Sequence, residues 1–438
     1  ALYLHNGPEY LEACQAAWKA GLVTFNTNYR YTAEELTYLW DNADAVAMVF
    51  GGVFTPTIEE IRSDLPDVHT WLWVDDGGGP CPPWASPYEE AAGATGPPVR
   101  RDESRSGDDL LMLYTGGTTG MPKGVMWRQH DLLRGVVGAV NPAFAAHEAD
   151  LDGVAEVAAA GGNRHISACP LMHGTGWFTA LMTLAAGGCV ITTEGAHYDP
   201  VELLDTVERE AAATVAIVGD AFAKPIVRAL DAEPDRWDLS SLLVLISSGV
   251  MWSEPVKAAL LGHVPGLVCH DTFSSSEALG MGASMSTADG RAATARFTLG
   301  ENAVVVAEDG SMVEPGSGVV GRVAVGGVTP VGYYKDPEKS AATFVEIDGR
   351  RYSMPGDHAT VEADGTLTLL GRGSVCINTG GEKVFPEEVE AAVKGHPAIF
   401  DSLVVGVPDE RFGSRVVAVV SLSDGAVAPD VEELGDHC

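Results

Sequence analysis

The chain has 438 residues, 46% hydrophobic and 20% charged, a globular composition long enough for two or three lobes. Its formal charge of −34, from 27 basic against 61 acidic residues, argues against nucleic acid as a partner and requires any anionic ligand to be held by local donors and a divalent cation working against the overall field. Cys14, Cys81, Cys169, Cys189, Cys269, Cys376 and Cys438 are scattered and never spaced C-x-x-C, which suits a reducing, cytoplasmic setting and argues against a disulfide framework or zinc ribbon. No apolar run reaches the roughly 18 to 20 residues of a membrane span, and Ala1 to Pro8 lacks the basic start of a signal peptide.

Glu9 to Ala20 carries Tyr10, Leu11, Ala13, Cys14, Ala17 and Trp18 at helical spacing, with Gly21 as the closing C′ residue. Asn26 to Thr32 is polar with aromatic interleaving, and Thr32 with Glu35 predicts a capping box ahead of Leu36 and Leu39. Ala45 to Phe50 and Trp71 to Val74 read as strands. Pro, Gly and acidic residues from Asp75 to Gly107 mark a surface excursion.

Leu110 to Tyr114 has the length and composition of a buried strand, and it runs into Thr115-Gly116-Gly117-Thr118-Thr119-Gly120-Met121-Pro122-Lys123-Gly124. Gly116, Gly117 and Gly120 leave backbone N–H groups open to anionic oxygens, the three threonines add hydroxyls, and Lys123 adds a point charge. The expectation is a phosphate-grasping loop; the plain alternative is a glycine-rich hairpin that only turns the chain. A Walker loop needs Ser or Thr after its Lys, whereas Gly124 follows Lys123, so the ordinary nucleotide-hydrolase reading fails. Residues 114–125 resemble the signature loop of the adenylate-forming (ANL) superfamily, which includes acyl-CoA synthetases, aryl-CoA ligases, adenylation domains and firefly-type luciferases.

Further along, Asp131 is expected to cap a helix carrying Leu132, Leu133, Val136, Val137 and Val140. His173 stands among glycines and apolar residues; alone it reads as structural or as a site residue. Its similarity to the family's Pro-Leu-x-His-x-x-Gly segment implies a gate beside an acyl pocket. Asp199-Pro200 opens a helix, and strands at 214–218, 242–246 and 267–270 alternate with helices at 221–230 and from Ser253 to Gly262. This alternation predicts a mostly parallel sheet with ligands at the carboxyl ends of its strands. Ser248, Gly249, Asp271 and Thr272 fall at such ends.

Asp271 to Glu277 resembles the family's Tyr-Gly-x-Thr-Glu segment, with only Glu277 retained outright. The resemblance implies Phe273 against adenine, Ser276 as a hydroxyl and Glu277 as a magnesium ligand, while a strand-end turn with a solvated Glu is the alternative. From Thr298 onward, short strands with glycine turns predict a small barrel-like β region. Arg322 stands where the family usually has Glu. Asp357, after Tyr352 to Gly356, resembles the ribose-binding Asp, since a carboxylate can accept from both hydroxyls of a diol; a turn Asp is the alternative. Gly371-Arg372 ends the large lobe, Ser374 takes the usual hinge position, and Ile377 to Glu390 matches the family's second specific segment. Pro386 opens a helix that Lys394 and Gly395 close.

The expected fold is therefore α/β: a large N-terminal AMP-binding domain, 1–371, of mostly parallel β/α layers with 298–371 mostly β, then a small α+β domain, 372–438, hinged near 373–374. The chain looks nearest to actinobacterial fatty-acyl or steroid-side-chain synthetases, on Asn26 to Tyr31, Met126-Trp127-Arg128 and Cys376 to Phe385. That resemblance implies activation of a carboxylic acid with ATP and magnesium, then transfer to coenzyme A. It assigns catalysis to Thr118, Lys123, His173 and Glu277. It assigns the nucleotide to Thr115, Gly116, Gly117, Thr118, Thr119, Gly120, Lys123, Ser248, Gly249, Asp271, Thr272, Phe273, Ser276, Asp357 and Arg372, and the pantetheine route to Gly380 and Gly381. It also implies a copy truncated at both ends, because the family's late Lys falls beyond Cys438, and hence impaired adenylation. An adenylating enzyme with another acceptor and a non-catalytic nucleotide- or acyl-binding remnant are the alternatives. The acyl group and any homo-oligomer are not legible, since pocket walls come from scattered residues.

Overall fold

Three larger sheets and two hairpins make up the chain in a computed structural model that describes residues 1–95, 106–117, 120–138, 140–141, 143, 151–373, 376–379, 382–409, 413–423, 425–430, 433–434 and 437. The first sheet is parallel: β1 (Leu2–Tyr3), β2 (Ala47–Gly51), β3 (Thr70–Val74) and β4 (Ser86–Pro87). Around it lie α1 (Pro8–Lys19), α2 (Ala33–Asn42), α3 (Thr55–Ile61) and α4 (Tyr88–Ala92). Thr32 and Glu35 form the expected reciprocal cap of α2, and Gly21 after α1 has φ +72°, a left-handed turn that suits glycine. Leu36, Leu39, Trp40, Met48, Phe50 and Ile58 are fully buried beneath these helices. The predicted excursion from Asp75 is interrupted by β4 and α4, because Ser86 and Pro87 pair with Leu72 and Trp73.

β5 (Leu110–Gly117) and β6 (Gly120–Arg128) form an antiparallel hairpin, extended on its β6 side by a strand from far along the chain. α5 (Gln129–Val137) follows with no gap. Asp131 does not cap it: the N-cap is Arg128, because β6 runs on until Gln129 N–H donates to Asp109 O at 2.8 Å and the helix begins there. Asp131 instead pairs with Arg128 at 3.6 Å. A further helix, α6 (Leu151–Ala159), leads into the large sheet.

That sheet opens with β7 (Arg164–Ser167), β8 (Cys189–Ile191), β9 (Thr214–Ile217), β10 (Val244–Ser248) and β11 (Val268–Phe273), all parallel in the order β8-β7-β9-β10-β11. The crossovers are α7 (Gly174–Ala185), α8 (Pro200–Glu210), α9 (Gly219–Ala232) and α10 (Glu254–His263). Leu203, Leu204, Val207, Ile226, Leu230 and Leu260 pack with Val215, Ile217 and Leu245. Asp199 caps α8 as expected, accepting from Val201 N and Glu202 N. Ser253 precedes α10 without a side-chain cap; its hydroxyl donates to Asp220 Oδ1 at 3.1 Å.

Beyond β11 the same sheet turns antiparallel through β12 (Gly282–Ser286), β13 (Arg296–Leu299), β14 (Ala303–Val306) and β15 (Gly321–Val325). β16 (Gly332–Tyr333) leaves to pair with β6, and α11 (Pro337–Thr343) returns the chain to β17 (Phe344–Ile347), β18 (Arg350–Ser353), β19 (Asp357–Val361) and β20 (Thr366–Arg372). The predicted parallel β/α layers are therefore found in β7 to β11 and in the first sheet, while the rest of the large sheet is antiparallel. Among the described residues the later strands continue that sheet along an open path with β17 at its edge rather than closing on themselves. Short connections such as 348–349 permit only antiparallel neighbours.

The C-terminal part comprises the hairpin β21 (Ile377–Thr379) and β22 (Glu382–Val384), α12 (Pro386–Lys394), and the long hairpin β23 (Ile399–Asp409) and β24 (Gly413–Leu422). Ser374 lies outside the described residues. No helix among the described residues is long and apolar enough to cross a membrane.

His165 on β7 is 1% exposed, with ring nitrogens 2.8 Å from Thr214 Oγ1 and 3.1 Å from Thr179 Oγ1. Burial lowers its pKa from 6.5 to about 4. The unfolded chain thus takes up a proton before the fold does, so stability is fully present above pH 6.5 and is lost as pH falls from 6.5 towards 4. In urea titrations across that window, His165→Gln should show a shallower fall in midpoint than the parent; parallel curves would show that another group governs the acid limb.

Candidate functional site

The β5–β6 hairpin is built from alternation and glycine. Leu111 and Leu113 are buried in one core, Met112 and Tyr114 in the other. Gly124 lies opposite Tyr114, where a Cβ would stand 2.8 Å from the tyrosine ring. The ladder runs to Thr115↔Lys123 and, after an irregularity, Gly117↔Gly120. The two readings of this stretch therefore merge: it is a hairpin, and its glycine-rich tip is the candidate phosphate loop. Thr118 and Thr119 at the tip lie outside the described residues. Gly116 is exposed, and a Cβ there would meet the Tyr31 hydroxyl at 3.5 Å.

Lys123 extends to Asp336, with Nζ 3.1 Å from Oδ2. Asp336 also caps α11 by accepting from Lys339 N at 2.9 Å, and the Lys339 N–H together with Lys123 holds its carboxyl below the usual carboxylate range. The Lys123 ammonium lies 5.9 Å from the centroid of Tyr333, and the Tyr333 hydroxyl donates to Glu277 Oε1 at 2.8 Å. Burial, then the Glu277 carboxylate, pushes the Tyr333 hydroxyl pKa well up, so it remains a donor. Glu277 is 7% exposed, and its own carbonyl accepts from Ser353 Oγ at 2.6 Å. Trp127 of β6 donates its indole N–H to Ser276 O at 2.9 Å, and Gly280 N donates to Ser274 Oγ at 3.0 Å. The loop carrying Ser276 and Glu277 is thus pinned from several sides, which the alternative of a solvated turn does not describe.

Asp357 and Arg372 stand opposite each other at the ends of β19 and β20, with Arg372 Nε 3.3 Å from Asp357 Oδ1. Asp357 is 6% exposed, and its Oδ2 is buried without a hydrogen-bond partner among the described residues. Burial raises the Asp357 carboxyl pKa, and Arg372 opposes that shift. Glu387 in the first turn of α12 reaches the same place. A Cβ on Gly371 would clash with its Oε2, which is buried without a hydrogen-bond partner among the described residues, and burial raises its carboxyl pKa.

The strand ends behave less uniformly. Ser247 and Ser248 are buried, with Ser247 Oγ accepting from Gly219 N at 2.9 Å and Ser247 O accepting from Thr272 Oγ1 at 3.0 Å. Gly249 has φ +91°, and a Cβ there would meet only Val218 Cγ1, at 3.9 Å, among the described residues. The Asp271 carboxylate is engaged inside the sheet by Lys257 Nζ at 2.9 Å, with side chains 6% and 1% exposed, and its backbone lies between Ser247 and Ser284 in the ladder, so Asp271 is placed as a structural residue. Phe273 is 8% exposed with its ring centroid 5.6 Å from that of Phe297, so adenine would have to take the part of the ring that Phe297 leaves.

His173 sits at the N-cap of α7 without a capping bond and is exposed. Neighbouring atoms that displace water, then the Arg30 guanidinium, lower its pKa, so it is neutral near pH 7. Asn26 ties this segment to the hairpin: its amide donates to Tyr114 O at 3.0 Å and Met172 O at 2.7 Å, and its oxygen accepts from Tyr114 N at 2.7 Å. Asn6 does the same for Ser167 O, Cys169 O and Leu171 N.

Lys123, Glu277, Asp357 and Arg372 therefore converge, while Gly380 and Gly381 lie outside the described residues. Tyr333, Asp336, Trp127 and Lys257 were not anticipated as parts of the site. Asp336-Pro337 as a helix start was the only local signal among them. Glu277 Oε1 is taken by Tyr333, which leaves Oε2 for a cation. Magnesium is commonly held by one or two carboxylates plus phosphate oxygens, so the absence of a three-ligand cluster among the described residues is compatible with it.

The profile of the AMP-binding enzyme family matches residues 1–334, and that of the AMP-binding enzyme C-terminal domain matches 388–438. The chain is 42% identical to the medium/long-chain-fatty-acid–CoA/3-oxocholest-4-en-26-oate–CoA ligase of Mycolicibacterium smegmatis, over 100% of this chain and 80% of that protein. It is also 42% identical to the 3-oxocholest-4-en-26-oate–CoA ligase of Rhodococcus rhodochrous, over 97% of this chain and 77% of the relative. An anthranilate CoA ligase in complex with anthranoyl-AMP shares the fold at TM-score 0.81 and 22% identity, covering 100% of this chain and 80% of that one. ATP-bound MatB from Rhodopseudomonas palustris does so at TM-score 0.78 and 23% identity, over the same shares.

Tyr333→Phe removes the donor to a buried carboxylate. A hydrogen bond to a charged group is worth about 1.5 to 3 kcal/mol, so any ATP-dependent rate that uses Glu277 should fall at least roughly tenfold. Steady-state kinetics with the variant checks this, and an unchanged rate would detach Tyr333 from the site.

Proposed function

The chain belongs to the AMP-binding enzyme family, and on that premise we propose that it is an acyl-CoA synthetase acting on a medium- or long-chain fatty acid or a steroid-side-chain acid. A carboxylate oxygen of the acid attacks the α-phosphorus of ATP, the bond to the β-phosphate oxygen breaks, and pyrophosphate leaves. The thiolate sulfur of coenzyme A then attacks the acyl carbon of acyl-AMP and AMP departs. Both steps gather negative charge, so this chain's contribution is positioned positive charge and hydrogen-bond donors.

The observation that carries this reading is the buried, unpartnered Oδ2 of Asp357 beside Arg372. A buried acceptor without a donor costs about 1 to 3 kcal/mol or more, and a ribose diol supplies the missing donors. In this proposal the hairpin tip with Thr115 to Lys123 holds the β- and γ-phosphates, and Lys123 exchanges its Asp336 contact for them. Arg372 meets the ribose or α-phosphate. Ser248, Gly249, Thr272, Ser276 and the free part of Phe273 surround the base. Glu277 Oε2 would hold magnesium, which when bound neutralises phosphate charge. Neutral His173, anchored through Asn26, borders the acyl group. Residues 372–438 act as a small domain turning about 373–374, and Gly380 and Gly381 flank the pantetheine.

Release of AMP should require ATP, a fatty or steroid acid and coenzyme A together; AMP formed equally well without the thiol would remove coenzyme A as acceptor. Asp357→Ala should weaken ATP binding at least roughly tenfold, on the value of bonds to a charged acceptor, yet leave binding of 2′,3′-dideoxy-ATP nearly unchanged. Equal losses for the two nucleotides would return Asp357 to a turn residue.

A further inference from the structure

Close to the hinge at 373–374, the C-terminal part meets the large domain through Phe385, whose ring centroid lies 5.5 Å from that of His358, and through Glu387 against Gly371. It meets that domain again at α9, well beyond the hinge in sequence, through Phe400. Asp220, Lys224 and Arg228 recur at four-residue steps along α9 and so share one face of the helix. Arg228 Cζ lies 3.8 Å and Lys224 Nζ 4.8 Å from the centroid of the Phe400 ring, and Lys224 Nζ also donates to Phe400 O.

The β23/β24 ladder is the reason Phe400 is available for this contact. Ile399 pairs with Leu422 and Asp401 with Ser421, so Phe400 is an extra residue on β23 that the ladder leaves out. A bulge of this kind re-aims the side chain and leaves the residue unpaired, and here both ring and carbonyl go to α9. On the facing side the Lys224 ammonium is fixed independently of Phe400. It lies 3.7 Å from Asp220 Oδ2, and Asp220 Oδ1 in turn accepts from Ser253 N at 2.9 Å and Ser253 Oγ at 3.1 Å.

A ring held by two cations and one backbone hydrogen bond is a contact that can be made and broken. When the ring departs, Lys224 keeps Asp220, the exposed Arg228 side chain stays in water and the Phe400 carbonyl takes up water, so separation leaves no buried charge or acceptor unanswered. A broad apolar interface would instead hold the two parts together permanently. We propose that Phe400, gripped by Lys224 and Arg228, is a latch that holds residues 372–438 in one of the two orientations used by the two half-reactions. Phe400 is thus a positioning residue that touches no substrate. The proposal rests on the acyl-CoA synthetase reading above, in which residues 372–438 turn about 373–374.

The test measures the two half-reactions separately in the whole chain: pyrophosphate exchange with a medium-chain fatty acid and ATP, and thioester formation from the synthetic acyl-AMP and coenzyme A. Loss of two cation–π contacts shifts a two-state equilibrium roughly five- to thirtyfold, and loss of one about two- to fivefold. The ratio of the two rates should therefore move at least roughly fivefold in Phe400→Leu and less, in the same direction, in Arg228→Gln. The double variant should move no further than Phe400→Leu, because no ring remains for Arg228 to lose. An unchanged ratio, two rates that fall by the same factor, or additive shifts in the double variant would overturn the latch. A parent lacking either half-reaction counts against the synthetase reading and not against the latch, which amide hydrogen exchange then decides. Exchange faster than the parent's in both α9 and β23 of Phe400→Leu supports it, and exchange as in the parent overturns it.

Discussion

Burying a carboxylate costs several kcal/mol unless its charge is answered, and much of this site is arranged around answering three of them. Asp357 and Glu277 gather about the guanidinium of Arg372, and Glu387 stands near Asp357. Because Asp357 and Arg372 face each other in the β19/β20 ladder, that pairing constrains register: a slip of one residue would turn each side chain to the other face of the sheet. Glu387 brings the start of α12 to the same place, its carboxylate lying against Gly371. The Arg372 side chain is 41% exposed, so water screens its charge and the compensation is incomplete. Among the described residues one oxygen of Asp357, like Oε2 of Glu387, stays unpaired, and the proposed ribose contact would supply Asp357 with a donor.

The elements that meet here are far apart in sequence, and a few buried polar groups hold them in place. Asn26 links the hairpin at Tyr114 to the segment before His173, Trp127 links the hairpin to the loop of Glu277, and Tyr333 closes the circuit from β16. Each of these groups satisfies backbone or carboxylate atoms that would otherwise be unpaired in the interior, so each contributes positional precision as well as stability. A comparable contact reaches the C-terminal part, where Lys224 and Arg228 of α9 lie over the ring of Phe400, with Lys224 Nζ donating to Phe400 O. With a formal charge of −34, the molecule as a whole repels ATP. In the proposed function the donors of the hairpin, Lys123 and Arg372 would act as a local reversal of that field.

Much of this was legible in the sequence, and the reason is locality. Helix caps at Thr32 and Asp199, the turn glycine Gly21, the hairpin glycines and the β–α alternation from β7 to β11 depend on neighbours within a few residues, so composition and spacing carry them. The specific order of residues 114–125 and 377–390 carried the family. Register and partnership were not local. That Lys257 neutralises Asp271, that Phe273 packs on Phe297, that α5 begins at Gln129, and that the later strands continue the large sheet openly are outcomes of distant side chains meeting. The meeting of Lys224 and Arg228 with Phe400 belongs to the same class. Sequence alone determined most of the elements and the glycine-rich hairpin proposed to hold phosphate, because these follow from backbone freedom and short-range hydrogen bonding. The tertiary structure decided which charges are answered and which are left open, because burial and the separation of charges exist only once the sheets have packed.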